Sequence, residues 1–331
     1  MANQSLLRCS LLLAQHIHLD GRAEPLTHPP YLGIYVFATA RSISSLAYLK
    51  DLPNITLLAL DVTSPKSIAS ALEIVKSHTT SNTNTPAKRL KCLINNAGLG
   101  LVSPVLNGTT ITSSERSIFE TNVWGPLALI RTFTPLMKSS GDGSMIVNIT
   151  SGAAIVPLVW SGVYAASKAA MLMLSETMRL ELEPLGVGVQ SVVLGIVRTR
   201  FHANLKAKSV SGEGEGGKGV EGDGEAGKDE ERFQLAEGNY YEGMRDVLRD
   251  EASGKIQDES VMSAGEAGRR IVRDVVRGRK GRTFVGTKAG MLSIVGFLPQ
   301  WLVVSFKEVF LFPFLVFGDC SRLAGKGYLW R

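Results

Sequence analysis

The chain has 331 residues, 44% of them hydrophobic, and a formal net charge of +6 from 36 lysines and arginines against 30 aspartates and glutamates. That length suits one large α/β domain with extensions, and the basic residues are scattered rather than interleaved with aromatics, which argues against nucleic acid as a partner. Its three cysteines, Cys9, Cys92 and Cys320, are too far apart for a disulfide framework or a metal-binding spacing, so a reducing compartment and no metal are expected.

Residues 1–32 form an atypical N-terminal segment. Ser5 to Ala14 is apolar but short and carries only Arg8, which makes it a poor signal peptide. His16 and His18 read as loop residues, because no further ligands stand near them. Gly33 to Arg41 is a buried-strand pattern, and Ile55 to Val62 is the next. Asp61 ends that second apolar run, and Ser64-Pro65 opens a helix reaching about Lys76, so Asp61 can also serve the helix start. A polar loop from Ser77 to Lys88 precedes a strand at 90–94, which delivers Asn95 to the sheet edge. A helix over 115–138 carries Asn122 near its start and Arg131 further on. Strands follow at 144–151 and 187–195. Residues 206–231 are rich in Gly, Glu and Lys and cannot bury a core, so they read as a disordered insertion. A helix at 264–277 and a strand at 282–287 complete a domain spanning 33–290.

The last segment, 291–331, is strongly apolar. Met291 to Phe306 and Val309 to Phe317 are broken by Pro299, Lys307, Glu308 and Pro313, and neither half reaches the ~20 residues of a transmembrane helix. Two readings stand: a lid and subunit contact over a greasy substrate, or a monotopic hairpin resting in one leaflet. The basic surface suits an anionic membrane or a phosphorylated cofactor.

The chemistry centres on Ser161-Gly162-Val163-Tyr164-Ala165-Ala166-Ser167-Lys168. Four residues apart on a helix, Tyr164 and Lys168 share one face. A free tyrosine has a pKa near ~10, too high for efficient proton exchange at neutral pH. A neighbouring ammonium favours the phenolate and lowers that value. Such a spacing is common by chance, but three further stretches accompany it. They are Leu90 to Gly98, an apolar run breaking into Asn-Asn-Ala-Gly; Ser144 to Gly152, a strand ending on a hydroxyl; and Phe119 to Pro126, which places Asn122 before a long apolar segment.

Together these stretches resemble the short-chain dehydrogenase/reductase family over roughly residues 33–200. The details of 37–41, 57–62 and 122–126 look like the fungal branch containing NADPH-dependent 1-acyldihydroxyacetone-phosphate reductases. The resemblance implies a Rossmann-like three-layer α/β sandwich with a doubly wound parallel sheet. It implies Tyr164 as general acid/base, Lys168 as its tuner and ribose ligand, Ser151 as the group orienting the carbonyl, and Asn122 as support for a proton relay. It places Asp61 at the adenine edge, Asn95 beside the cofactor ribose, and Val197 and Thr199 over the nicotinamide carboxamide. Arg41, just past the second strand, sits where a basic residue accommodates the 2′-phosphate of NADP(H). Arg131 belongs either to the cofactor region or to the surface.

Two departures qualify this. Leu194-Gly195 stands where the family usually has Pro-Gly. No Thr-Gly pair and no Gly-rich turn precede Arg41, where Gly21 is the lone glycine before Gly33, and the first strand is unrecognisable. A misplaced exon boundary, a degenerate paralogue or an unusual working variant would each account for that. The expected function is NADPH-dependent reduction of a lipophilic ketone, acyl-dihydroxyacetone phosphate or a steroid-type or secondary-metabolite ketone, at the endoplasmic reticulum membrane or lipid droplets, or in the cytosol, with a homodimer as the expected assembly. The alternative is a non-catalytic relative that binds NADPH weakly.

Overall fold

In the computed structural model of the protein, the described residues are 10–15, 34–79, 89–138, 143–199, 240–244, 248, 261–296 and 298–299. Strands rich in Val, Ile and Leu, with most of Ser144–Ser151 and Val187–Leu194 buried on both faces, suit a parallel sheet covered on both sides. The sheet uses β1 (Ser10–Gln15), β2 (Ile34–Ala40), β3 (Ile55–Ala59), β4 (Arg89–Asn95), β5 (Ser144–Ser151), β6 (Val187–Leu194) and, after a small parallel pair β7 (Val197–Arg198) and β8 (Met262–Ser263), β9 (Gly281–Val285). Its order is β3-β2-β1-β4-β5-β6-β9, parallel throughout. The order reverses between β1 and β4, so the ligand crevice of such a sheet opens at the carboxyl ends of β1, β4 and β5.

The helices form the outer layers. On one face, α1 (Pro65–Thr79), α3 (Gly125–Lys138) and α4 (Gly162–Leu182) pack Ile68, Phe133 and Met171 onto Phe37, Leu93 and Ile146. On the other, α5 (Ala264–Val276) sets Ala267 and Ile271 against Ile94, Val147 and Val192. The expected three-layer Rossmann-like sandwich is therefore present.

The first strand, unrecognisable in the sequence, is present. Ser10–Gln15 fills that slot, paired with β2 from Ser10↔Ile34 to Gln15↔Thr39 and with β4 from Ser10↔Arg89 to Ile94↔Ala14. The run Leu11-Leu12-Leu13-Ala14 is the composition a strand between two neighbours needs. Seen without its partners, the same run is only a short apolar stretch. The Gly-rich turn would follow at 16–33, outside the described residues. The proposed disordered insertion at 206–231 also lies outside them.

Two boundaries move. The helix expected at 115–138 is three pieces: α2 (Ser113–Phe119), a π-helical turn Glu120–Trp124, and α3. Thr112 and Glu115 form a capping box that fixes the start of α2. The boundary at 290/291 is crossed by α6 (Ala289–Val295), whose Leu292 and Val295 are buried with Val156 against Phe284 and Ile155. The start of the apolar tail is therefore part of the folded core; the lid and hairpin readings concern residues beyond those described. Among the described residues, no helix is long and apolar enough to cross a membrane.

Where β6 and β9 end, two glycines let the backbone close on itself. Gly286 has φ +118°, and a Cβ there would stand 3.1 Å from the backbone N and C of Gly195; a Cβ on Gly195 would run into the carbonyl of Thr287. The Ile196↔Thr287 bridge seals the turn with bonds of 3.1 and 2.9 Å. Where the family has Pro-Gly, this chain fixes the turn through β9. Gly286→Ala is expected to destabilise the protein by about 1–3 kcal/mol, from a disfavoured φ plus a backbone clash. Chemical denaturation of the variant against the wild type measures it.

Candidate active site

Tyr164 and Lys168 lie one turn apart on α4, with Lys168 Nζ 6.0 Å from the centre of the Tyr164 ring. Lys168 is 5% exposed, and its ammonium donates to the Ile149 carbonyl at 3.1 Å. Burial with one neutral partner penalises the charged form and lowers its pKa from 10.5 to about 8. The expected depression of the Tyr164 pKa by this lysine is not the dominant effect. Burial raises the phenol above its ordinary value, while a hydrogen bond with Ser151 pulls it back. Without ligand, Tyr164 therefore keeps its proton at neutral pH, the form that can donate.

Ser151 ends β5 and caps the short 3-10 turn Gly152–Ala154; Ala153 N–H donates to Ser151 Oγ at 3.2 Å. That bond fixes the oxygen and leaves the hydroxyl hydrogen for Tyr164 or a substrate carbonyl. Gly152 lies against Leu292, whose Cδ1 would stand 2.6 Å from a Cβ there and would have to move for one.

Asn122 is buried on the π turn. Its Nδ2 donates to the Leu99 carbonyl (2.8 Å) and to Ser167 Oγ (2.9 Å), and its Oδ1 accepts from Leu99 N–H (2.8 Å). Ser167 Oγ in turn donates to the Tyr164 carbonyl at 2.7 Å. The amide is thus clamped between the loop after β4 and α4. Such a π bulge shifts one side chain out of helical register, and they recur at functional sites. A Cβ on Gly98 would lie 3.3 Å from Lys168 Nζ and 3.5 Å from Asn122 Oδ1, so the β4 loop passes directly over the lysine.

The cofactor candidates are distributed less uniformly. Asn95 was expected beside the cofactor ribose, but its side chain points inward and is 3% exposed. Its Nδ2 donates to Asn148 Oδ1 at 2.8 Å, and Asn148 Nδ2 donates to Ser175 Oγ at 2.9 Å. Asn95 therefore braces β4, β5 and α4, and its Oδ1 has no partner among the described residues. Asp61 accepts from the Thr63 N–H (2.9 Å) and hydroxyl (2.7 Å), and its own N–H donates to Ser67 Oγ. It shapes the turn before α1, whereas Ser64 receives the Ser67 N–H at the helix start. Arg41 is exposed past the end of β2, at the same carboxyl edge. Val197 pairs with Met262 in the β7–β8 ladder, and Thr199 follows it half-buried. Arg131 is exposed on α3 and belongs to the surface.

Sequence reasoning passed over Ser167, Gly98 and the Asn148–Ser175 pair. Ser175 sits two turns beyond Lys168 on the same face of α4, a spacing that could have marked it. A nicotinamide nucleotide fits the half of the crevice that is described. Lys168 has three N–H donors and uses one on Ile149, leaving others for a ribose diol. Gly98 keeps the approach to that ammonium free of a side chain.

Residues 32–209 match the family model for short chain dehydrogenase. The short-chain dehydrogenase ptmH of Penicillium ochrochloron is 36% identical over 82% of this chain and 86% of its own length. The NADPH-dependent 1-acyldihydroxyacetone phosphate reductase of Schizosaccharomyces pombe is 32% identical over 52% of this chain and 54% of its own. A short chain dehydrogenase/reductase from Burkholderia phymatum, solved in complex with NAD, superposes with a TM-score of 0.63 at 18% identity, covering 87% of this chain and 92% of its own, a likeness of fold.

The lysine makes a pH prediction. Its folded pKa of about 8 lies below the unfolded value of 10.5, so its burial penalty is fully present below pH 8 and is lost as pH rises towards 10.5. Lys168→Met should relieve about 3 kcal/mol of that penalty at pH 7. Its stability advantage over the wild type should shrink between pH 8 and 10.5. Comparing the two proteins cancels Cys92, whose raised thiol acts in the opposite sense; Tyr164, also raised by burial, loses its neighbouring ammonium in the variant, so the comparison is repeated in a Tyr164→Phe background. A parallel pair of stability curves across that window would contradict the assignment.

Proposed function

The chain belongs to the short-chain dehydrogenase/reductase family of oxidoreductases, and on that premise we propose that it reduces the carbonyl of a lipophilic ketone with NADPH. The observation that carries this reading is the convergence of Tyr164, Ser151, Lys168 and Asn122 at one sheet edge. A bound nicotinamide supplies the hydride. Ser151 donates to the substrate carbonyl and polarises it. Tyr164 delivers its phenolic proton to the oxygen as negative charge develops there. As that proton leaves, the Lys168 ammonium stabilises the phenolate, the charge state in which its proximity matters most. The clamp on Asn122 holds Leu99 and α4 in register around this pair.

NADPH over NADH rests on Arg41, since the Burkholderia neighbour carries NAD on the same fold. Arg41 is exposed where a 2′-phosphate would sit in such folds. The Schizosaccharomyces relative, named for NADPH and an acyl-dihydroxyacetone phosphate, supports the same direction and a lipid substrate. With such a substrate the protein would work at the endoplasmic reticulum or lipid-droplet surface. A steroid-type or secondary-metabolite ketone fits the catalytic set equally. A homodimer is part of the proposal: Met173 and Leu180, 69% and 63% exposed, lie two turns apart on one face of α4.

The second reading, a non-catalytic relative, has one observation in its favour. Between β1 and β2 the sequence holds Gly21 and Gly33 and no Gly-rich turn to bring backbone amides onto a pyrophosphate. Losing two or three such bonds would weaken binding about a hundred- to ten-thousand-fold.

Fluorescence titration with NADPH separates the two readings. Micromolar binding by the folded chain supports the reductase, and no binding supports the non-catalytic relative. In an active preparation, Tyr164→Phe should lower kcat about a hundred- to ten-thousand-fold with the fold intact. Arg41→Asp should cost NADPH about ten- to a hundredfold in kcat/KM and leave NADH little changed. Near-normal turnover by Tyr164→Phe would remove the proton-donor role.

A further inference from the structure

Trp160 has φ +63°, a backbone conformation that a bulky residue adopts only when its surroundings impose it. What imposes it is visible. The Trp160 carbonyl accepts from Ser103 N–H at 2.7 Å, and Ser103 bridges Ser161 in the next position. Gly162 follows, where any Cβ would collide with Val105, so the loop after β4 lies hard against the start of α4. The indole is thereby held four residues before Tyr164.

Its ring meets Tyr241, which comes from the far side of the long insertion, with centroids 5.0 Å apart and planes at 76°. Val102 and the fully buried Leu248 complete the cluster. Trp160 and Tyr241 are themselves only half-buried. An edge-to-face pair of this kind leaves ring surface open, and a third flat ring can add to it by stacking. An alkyl chain gains only area burial there.

We propose that the Trp160–Tyr241 corner is the specificity determinant of the site, selecting ketones with a flat fused-ring body over open-chain ketones of equal carbon content. This rests on the ketone-reductase reading. It adds that the substrate body lies across the start of α4, and that strain in the Trp160 backbone is retained because it aims the indole. Trp160 and Tyr241 act on substrate choice, and the proton chemistry stays with Tyr164.

The test uses the full chain, with β-tetralone as the fused-ring probe and methyl octyl ketone as the open-chain probe. The wild type should favour β-tetralone in kcat/KM. Trp160→Leu and Tyr241→Leu should each narrow that preference about three- to tenfold, and Trp160→Phe should keep most of it. Tyr241→Leu lies outside the strained loop and serves if Trp160→Leu folds poorly. Equal losses on both ketones, or an unchanged preference, would overturn the proposal. Calorimetric binding of β-tetralone to wild type and Tyr241→Leu separates the two layers. Wild-type binding weakened by Tyr241→Leu but without turnover sustains the corner and rejects the reductase reading. Turnover of β-tetralone whose binding ignores both substitutions rejects the corner and sustains the reductase.

Discussion

The structure turns on one buried amine. Lys168 brings a potential positive charge to the interior edge of the sheet, and the fold answers it with a single carbonyl, that of Ile149. Burying a charge without a counter-ion is costly. The protein tolerates this by weakening the lysine's hold on its proton, and Gly98 brings the loop after β4 close to the amine without a side chain.

Everything near the amine is arranged to keep it in place. Ser167, its neighbour on α4, bonds Asn122, and Asn122 bonds both backbone groups of Leu99. Two turns further on, Ser175 is tied through Asn148 to Asn95. These polar struts join α4 to β4 and β5 at two heights. A helix held by apolar packing alone can slide by small amounts, whereas buried hydrogen bonds are specific in register because leaving them unmade is expensive. A proton donor and an ammonium one turn apart need that fixed register.

Close backbone approach is the second means of construction. Gly125 lets the start of α3 press on Val62, where a Cβ would stand 2.9 Å from its carbonyl. Gly152 admits Leu292 beneath Ser151, and Gly195 with Gly286 closes the turn beyond β6. At Gly125, Gly195 and Gly286 a Cβ would meet backbone and hold two segments apart. The apolar tail enters the same logic through Leu292 and Val295, which support the Ser151 turn from below.

The sequence by itself determined the shared face of Tyr164 and Lys168, because they lie on one helix and its period alone sets their neighbourhood. It also determined the alternation of strands and helices, since buried parallel strands are rich in Val, Ile and Leu. Only the tertiary structure decided the rest, and in each case the information is non-local. Ser10–Gln15 becomes a strand because β2 and β4 flank it; alone, it is only a short apolar run. Asn95 turns inward because strand side chains alternate and it shares the face of Leu93, so a one-residue difference in reading reverses its direction. Asn122 needs a π turn that no propensity signals. Trp160 meets Tyr241 across the insertion, a pairing that no local pattern encodes because it exists only once the sheet has brought the loop after β4 to the start of α4.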